Sequence, residues 1–475
     1  MKWILSQLSL SYPSNLVYML QITEYDLPHF LKWWLRVKNF SAVSSRGSLV
    51  KTSKAKLLVV VLHALRLFLI ISLIIIFTSL NDNVSLLLAG LAVSLLYVVA
   101  PVSLLCLIIT LARPVTDIKT KKAVEKASKT FANHPGLKIA VAGSYGKTSV
   151  KELLLTVLGT NLTVAASPAN RNVVSSHVVF ASRLIGNEDV VIVEYGEAKP
   201  GDIDKLARLS KPDIGIITGL APAHLDNYGT LANVADDLMS LANFVEPENL
   251  YINSAPPAIR KYIKPNFQTY NNVSGCGWSV SHLKIDYSGM KFKIKKDDTI
   301  LDLSTGLIGE HLIGPLVLCA VIALKLGLSN QAVEAAIALT RPYEHRMQPK
   351  SLGGAWIIDD TYNGTIEGMT AGLKLMGQLP AKRKWYVTPG LVEQGAQTEA
   401  IHNQLGELIA QAAPDRVVLM KNTVTPFIQA GLERGGYGGI VSLEGNPLNF
   451  YLNLDQFIVD GDLIMMQNDW SDNYA

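Results

Sequence analysis

Two stretches of the chain, Leu57 to Leu80 and Val84 to Ala112, are almost uninterruptedly apolar. Each reaches the roughly 20 residues that a bilayer-crossing helix needs, so the pattern predicts two transmembrane helices within residues 57–113. Lys51, Lys54 and Lys56 precede the first run, Arg113, Lys119, Lys121 and Lys122 follow the second, and the connecting TSLNDNVS carries no positive charge. That distribution puts both ends on the cytoplasmic side of the inner membrane and the hairpin loop outside. His63 and Arg66 lie inside the first run; the expectation for Arg66 is packing against the second helix or snorkelling to lipid phosphate. Pro101 is expected to kink the second helix.

Before the hairpin, residues 1–56 read as an amphipathic membrane-surface region. The first twenty residues are broken by Ser and Gln and lack a small-residue cleavage site, so a signal peptide is not the expectation for them. After Pro28, His29, Lys32, Arg36 and Asn39 recur at helical spacing among Phe30, Trp33, Trp34, Leu35 and Val37. This predicts a basic helix at the membrane surface; a helix packed in an ordinary subdomain fits the same spacing.

Beyond a charged, helix-prone connector (residues 114–136), the period changes. Apolar β-runs at 139–142, 190–194, 214–219 and 250–253 alternate with helical stretches, as in a doubly wound α/β domain. Residues 266–306 read as short strands of a hairpin insertion. After Arg341-Pro342 a second βα series runs to Gln467. The predicted organisation is therefore a central α/β domain over 114–340 and a Rossmann-like C-terminal domain over 341–475.

Composition agrees with the hydrophobic pattern. Hydrophobic residues are 49% and charged residues 17% of the 475, and the mean hydropathy is +0.25. A net charge of +4 with basic residues gathered around the apolar runs leaves no stripe for nucleic acid. Cys106, Cys276 and Cys319 are too scattered for a disulfide framework or a zinc knuckle.

The chemistry concentrates at strand ends. KIAVAGSYGKTSVKELL (138–154) joins an apolar strand to a helix through Gly143, Ser144, Gly146, Lys147, Thr148 and Ser149. Glycines there let successive N–H groups face an anion at the helix's positive end. Lys147 would reach the β- and γ-phosphates, and Thr148 would offer its hydroxyl to Mg²⁺. The general pattern asks for one more glycine, where Val141 stands. Glu194 ends the strand of VVIVEYGE, where a carboxylate can take magnesium or simply face solvent. His224 follows another strand in TGLAPAHLDN, and IIDDTYN ends in Asp359 and Asp360, a pair that also suits a turn or a cap.

In this order the pieces resemble the Mur ligase family of ATP-dependent peptide ligases, most closely its MurF-type branch. GSYGKTSVKE is similar to the family's phosphate loop, EYGEAKPGDI to its magnesium-glutamate motif, TGLAPAHLDNYGT to its metal-histidine motif, and PYEHRM with IIDDTYNGTIEGM to the junction into its C-terminal domain. ASPANRN (166–172) is similar to the stretch shaping the acceptor cleft. The resemblance, over about residues 137 to 470, implies ATP and Mg²⁺ as cofactors and metal ligation by Thr148, Glu194 and His224. It also implies Arg346 near the phosphates and Asp360 at the ribose. The implied reaction phosphorylates an acceptor carboxylate and joins it to an amino acid or dipeptide. The acceptor would be a cell-wall or cell-surface precursor.

Three departures stand out. No lysine occurs between Lys211 and Lys261, where the family carries one that is carbamylated near the second metal. The stretch Gly309–Gly314 lacks the family's adenine-contacting asparagines. In place of the family's soluble UDP-sugar domain stand the surface helix and hairpin, pointing to membrane lipid as a partner and to a lipid-linked or partner-presented acceptor. Alternatives from the same resemblance are a poly-γ-glutamate-type ligase and a degenerate ATP-binding scaffold for envelope enzymes.

Overall fold

In the computed structural model, residues 6–23, 25–37, 40, 49, 51–79, 83–168, 171–222, 225–362, 364–392, 394 and 397–468 are described. The chain divides near Lys121 into two units.

The first unit contains α1 (Tyr12–Ile22), α2 (Leu27–Arg36), α3 (Ser53–Ser79) and the start of α4 (Asn83–Asn133). Helix α3 is the first apolar run; α4 absorbs both the second run and most of the charged connector, continuing through Pro101 and Pro114. Both are long and apolar enough to cross a membrane. Helix α2 starts where the sequence places it, with Pro28 in its first turn and the Asp26 side chain accepting from the His29 N–H. Its Phe30 and Trp33 are packed within protein, beside Leu16, Val17 and Leu20 of α1, Leu58 and Leu62 of α3, and Leu105 of α4. That face follows the packed-helix reading. Helix α1 was not foreseen, because Ser and Gln interrupt its surroundings and its apolar positions gain their meaning only against α3.

Arg66 is 5% exposed. Its Nε donates to the Tyr97 hydroxyl of α4 at 2.7 Å, and its Nη groups donate to the carbonyls of Ser9, Gln7 and Leu8 at 2.9, 3.2 and 3.0 Å. Of the two expectations, packing against the second helix is met. Outward from this core, Leu67, Phe68, Ile71, Ile74 and Leu95 stay exposed.

The second unit is built on two sheets. A ten-stranded sheet has the order β10-β9-β8-β7-β6-β5-β4-β1-β3-β2. Its parallel half comprises β1 (Leu137–Ala142), β2 (Val164–Ala166), β3 (Val190–Glu194), β4 (Ile214–Ile217), β5 (Leu250–Asn253) and β6 (Gln268–Tyr270). Helices α5 (Lys147–Leu158), α6 (Val174–Ala181), α7 (Asp202–Ser210) and α8 (Leu231–Met239) connect them. The segment read as an inserted hairpin instead continues this sheet, as antiparallel β7 (Ser274–Gly275), β8 (Trp278–Asp286), β9 (Gly289–Lys296) and β10 (Thr299–Thr305). Helices α9 (Ile313–Lys325) and α10 (Asn330–Ala338) follow. Buried valine, isoleucine and alanine side chains of β1, β3 and β4 meet α5 and α9 on one face, and α7 and α8 on the other.

The second sheet has the order β11-β12-β16-β13-β14-β15. Here β11 (Gln348–Leu352) is antiparallel to β12 (Ala355–Asp360), and β13 (Arg383–Thr388), β14 (Arg416–Met420), β15 (Ile440–Glu444) and β16 (Asp462–Gln467) continue in parallel. Helices α11 (Ile366–Gln378), α12 (Thr398–Ala412) and α13 (Thr425–Arg434) lie between its strands in sequence. Contacts join the two sheets away from the phosphate loop. Tyr287, in the β8–β9 turn, stacks on Trp356 with ring centroids 4.6 Å apart, and its hydroxyl donates to the Pro380 carbonyl at 2.6 Å. Glu310 receives Lys374 and Gln378 of α11, each at 2.5 Å.

Candidate active site

Strand register assembles the site. β1 lies between β3 and β4, with Val141 opposite Glu194 and Ala142 opposite Ile217. The ends of three strands therefore meet where the order of the sheet reverses, the usual ligand position in an open α/β sheet. From Ala142 the chain turns through Gly143 (φ +139°) and Gly146 (φ +74°) into α5. A Cβ at Gly143 would overlap the Thr218 hydroxyl and lie 2.9 Å from the Thr218 N, so the close approach requires glycine. Thr218, just past β4, donates its hydroxyl to the carbonyls of Ala142 and Tyr145. The Ser144 N–H donates to the Gly219 carbonyl at 3.0 Å, and among the described residues the buried Ser144 hydroxyl has no partner. Ser149 stands in the first turn of α5.

Lys147 Nζ lies 2.8 Å from Glu197 Oε2 and also donates to the Gly143 carbonyl. Thr148 Oγ1 donates to Glu194 Oε1 at 3.1 Å. Asn172 Nδ2 reaches the same oxygen at 3.3 Å, while Lys151 Nζ sits 3.2 Å from Glu194 Oε2. Lys151 is completely buried, its ammonium also donating to the Ser167 carbonyl at 3.0 Å and pairing with Glu152 at 3.2 Å. The backbone of Glu194 is fixed too. Its N–H donates to Ser167 Oγ at 3.0 Å, and His177 Nε2 lies 2.8 Å from its carbonyl. Burial pulls His177 down to about 4, so the ring is neutral at pH 7 and its Nε2 carries the proton given to that carbonyl.

The segment leading into the second sheet brings Arg346 near enough to Glu194 to feel its charge, while Asp360 ends β12. Arg346 follows His345 and precedes Met347, both with positive φ (60° and 43°). Its guanidinium lies 4.4 Å from the Tyr362 ring centroid. Burial lowers its pKa, opposed by the negative charges of Asp360 and Glu194. Asp360 is turned into its own domain, accepting from the Met347 N–H at 3.2 Å and from Gln467 Nε2 at 2.8 Å. Burial pushes it up to about 6 against those bonds. Its neighbour Asp359 is engaged by Lys350, Thr361 and His345 at 2.6, 2.7 and 2.9 Å. His224 lies outside the described residues. Leu238, in the region where the resemblance puts the family's lysine, is 1% exposed in the central core.

The structure thus brings Lys147, Thr148 and Glu194 to one place, with Arg346 near enough to Glu194 to feel its charge, and gives partners to Lys151, Glu197, Asn172 and Thr218, which the motifs contain without a role of their own, and to His177, which lies outside them. A signal for Lys151 existed, since it stands one helical turn after Lys147. The others become visible only through strand register.

A hydroxyl and a carboxylate oxygen side by side are hard donors that suit Mg²⁺. Among the described residues no three His, Cys, Asp or Glu side chains gather. An ion here would complete its shell from phosphate and water, which is the usual habit of Mg²⁺.

Comparison with known proteins gives the same direction. Residues 141–323 match the Mur ligase middle domain. The chain is 28% identical over 294 residues to the UDP-N-acetylmuramoyl-tripeptide--D-alanyl-D-alanine ligase of Mycobacterium bovis, covering 59% of this chain and 58% of that protein. It is 26% identical over 295 residues to the ligase of the same name from Escherichia coli, covering 60% and 64%. The matches therefore span less than two thirds of these relatives. Among solved structures, MurF ligase from Thermotoga maritima in complex with ADP superposes with a TM-score of 0.65 at 19% identity, covering 74% of this chain and 80% of that one. MurF from Acinetobacter baumannii gives 0.63 at 18% identity, covering 74% and 77%. At such identities the superpositions establish a shared fold.

Proposed function

We infer that this chain, a Mur ligase by its middle domain and MurF-type by its relatives, is a membrane-anchored, ATP-dependent, ADP-forming ligase. It would join a peptide-bearing cell-wall precursor to an amino acid or dipeptide. The observation that carries the reading is the convergence of Lys147, Thr148 and Glu194 at the switch point of the ten-stranded sheet, beside which Arg346 lies near enough to feel the charge of Glu194.

The chemistry follows from charge. Transfer of the γ-phosphoryl group to an acceptor carboxylate spreads negative charge over the transferring oxygens, and catalysis of that step is mostly positioning and neutralisation. Lys147 and the N-terminus of α5 would face the phosphates. Arg346 adds a second cation held by Tyr362. Thr148 and Glu194 would hold Mg²⁺, which when bound screens the phosphate oxygens. The amine nitrogen then attacks the acyl carbon, the carbon–oxygen bond to phosphate breaks, and phosphate leaves as the amide forms. Water must be kept out during this interval, because an acyl phosphate hydrolyses. Asp360 would meet the ribose only on leaving Gln467.

Anchoring rests on the two apolar helices, whose lipid-length exposed faces suit a bilayer. Its position at the membrane favours a lipid-linked acceptor. The test is ATP-dependent phosphate release by detergent-solubilised protein, with muramoyl-tripeptide acceptors (soluble or lipid-linked) and D-alanyl-D-alanine. Release stimulated by one acceptor and abolished by Lys147→Ala supports the ligase. Slow release indifferent to every acceptor overturns it.

A further inference from the structure

The two oxygens of Glu194 are not equivalent. Oε1 carries the Thr148 and Asn172 hydrogen bonds, whereas Oε2 faces the Lys151 ammonium at 3.2 Å. Both side chains are sealed from solvent, at 0% for Lys151 and 1% for Glu194. The ammonium cannot swing away cheaply, because Ser167 and Glu152 hold it from other directions. A cation arriving beside Thr148 therefore meets in Oε1 an oxygen whose partners are neutral and can give way, and in Oε2 an oxygen that faces a fixed positive charge.

We propose that Lys151 is a specificity-determining residue for the metal: by occupying Oε2 it restricts Glu194 to one-oxygen ligation and so discriminates against Ca²⁺. The inference rests on Thr148 and Glu194 being the metal ligands. Mg²⁺ is small, demands an octahedron and accepts single carboxylate oxygens together with phosphates and water. Ca²⁺ takes six to eight oxygens and gains from bidentate carboxylates. A lysine against the second oxygen penalises the larger ion more, which is selectivity built by an unfavourable contact. Asn172 assists by fixing the carboxylate plane from the other side.

The experiment uses full-length protein in detergent with a non-hydrolysable ATP analogue. Bound Mn²⁺ is followed by electron paramagnetic resonance while Mg²⁺ or Ca²⁺ displaces it. For the wild type, Ca²⁺ should be the poorer competitor. In Lys151→Met, the ratio of Ca²⁺ to Mg²⁺ needed for half-displacement should fall by about fivefold or more. Lys151→Arg, which keeps the charge, should stay near wild type. An unchanged ratio in a folded Lys151→Met protein overturns the proposal. Infrared difference spectra of the wild type give a check that needs no variant: carboxylate bands should report monodentate ligation with either ion, and a bidentate signature with Ca²⁺ also overturns it. Absence of any Mn²⁺ binding would instead sink the assignment of Thr148 and Glu194.

Discussion

Lys147 Nζ is paired with Glu197 Oε2 at 2.8 Å, both side chains nearly closed to solvent. The lysine expected to meet a nucleotide is thus already neutralised by a carboxylate from the loop after β3, so phosphate has to compete with Glu197 for it. Glu197→Gln removes that competitor while keeping a neutral group of the same shape. The expected outcome is tighter ADP binding, by about three- to tenfold, a modest share of a charge-assisted contact. Isothermal titration checks it; weaker binding would mean that Glu197 positions the lysine for phosphate.

Glu194→Gln keeps the Asn172 contact possible but removes the charge offered to a cation. Phosphate release should fall by at least about 100-fold, consistent with several kcal/mol of lost charge stabilisation. Residual activity should no longer saturate with Mg²⁺ in the wild-type range. A titration of rate against Mg²⁺ gives the answer.

Gly143→Ala should be costly for reasons of backbone and space together. Its φ of +139° is unfavourable for a residue with a Cβ, and that atom would collide with Thr218. A loss of about 1–3 kcal/mol is expected. It should appear as a lower melting temperature together with failure to bind nucleotide, whereas Gly201→Ala, with open space around it, should keep nucleotide binding.

Glu188 makes acid stability measurable at one residue. Burial alone would raise its pKa, but N–H groups of Ile185 and Gly186 and the His134 ring outweigh that and hold it at about 2. A carboxylate lowered on folding contributes stability above its unfolded pKa, near 4.5, and loses it as pH falls toward 2. Glu188→Gln should therefore melt below the wild type at pH 7, with a gap that narrows between about pH 5 and pH 2. A gap independent of pH would show that lost shape, not lost charge, is responsible.

Arg66 ties the carbonyls of Gln7, Leu8 and Ser9 to α3. Arg66→Met should leave the protein in the membrane fraction, since the outward apolar side chains are untouched, but should make the segment ahead of α1 sensitive to protease. Charge-assisted hydrogen bonds of this kind are worth about 1.5–3 kcal/mol each at most. Resistance equal to wild type would show that α1 packing alone holds the segment.

What the sequence made legible follows from how local each signal is. The phosphate loop could be read because glycine spacing, a preceding strand and a following helix are contiguous. Arg66 could be read because an ionisable residue within an apolar run demands a partner. The antiparallel extension β7–β10 reads as an inserted hairpin because each of its pairings is local, Tyr270 with Gly275 and Gly275 with Trp278, whereas its continuity with the main sheet depends on β6 lying parallel to β5. Lys151 and Asn172 stand in legible motifs, but their approach to Glu194 is set by the order of β2, β3 and β1 and cannot be read from the motifs. Asp360 was legible as a strand-end carboxylate, but not its retention by Gln467, which lies 107 residues away.

The stacked pair Tyr287 and Trp356, with Glu310 gripping α11, places a fulcrum between the two sheets. Two separate grips define an axis, about which a body can turn more easily than it can slide. Any approach of Arg346 and Asp360 toward a bound nucleotide would then be rotation about that clamp, with the left-handed His345 and Met347 absorbing the twist. The antiparallel strands that extend the first sheet would act less as a wall than as the arm of a lever.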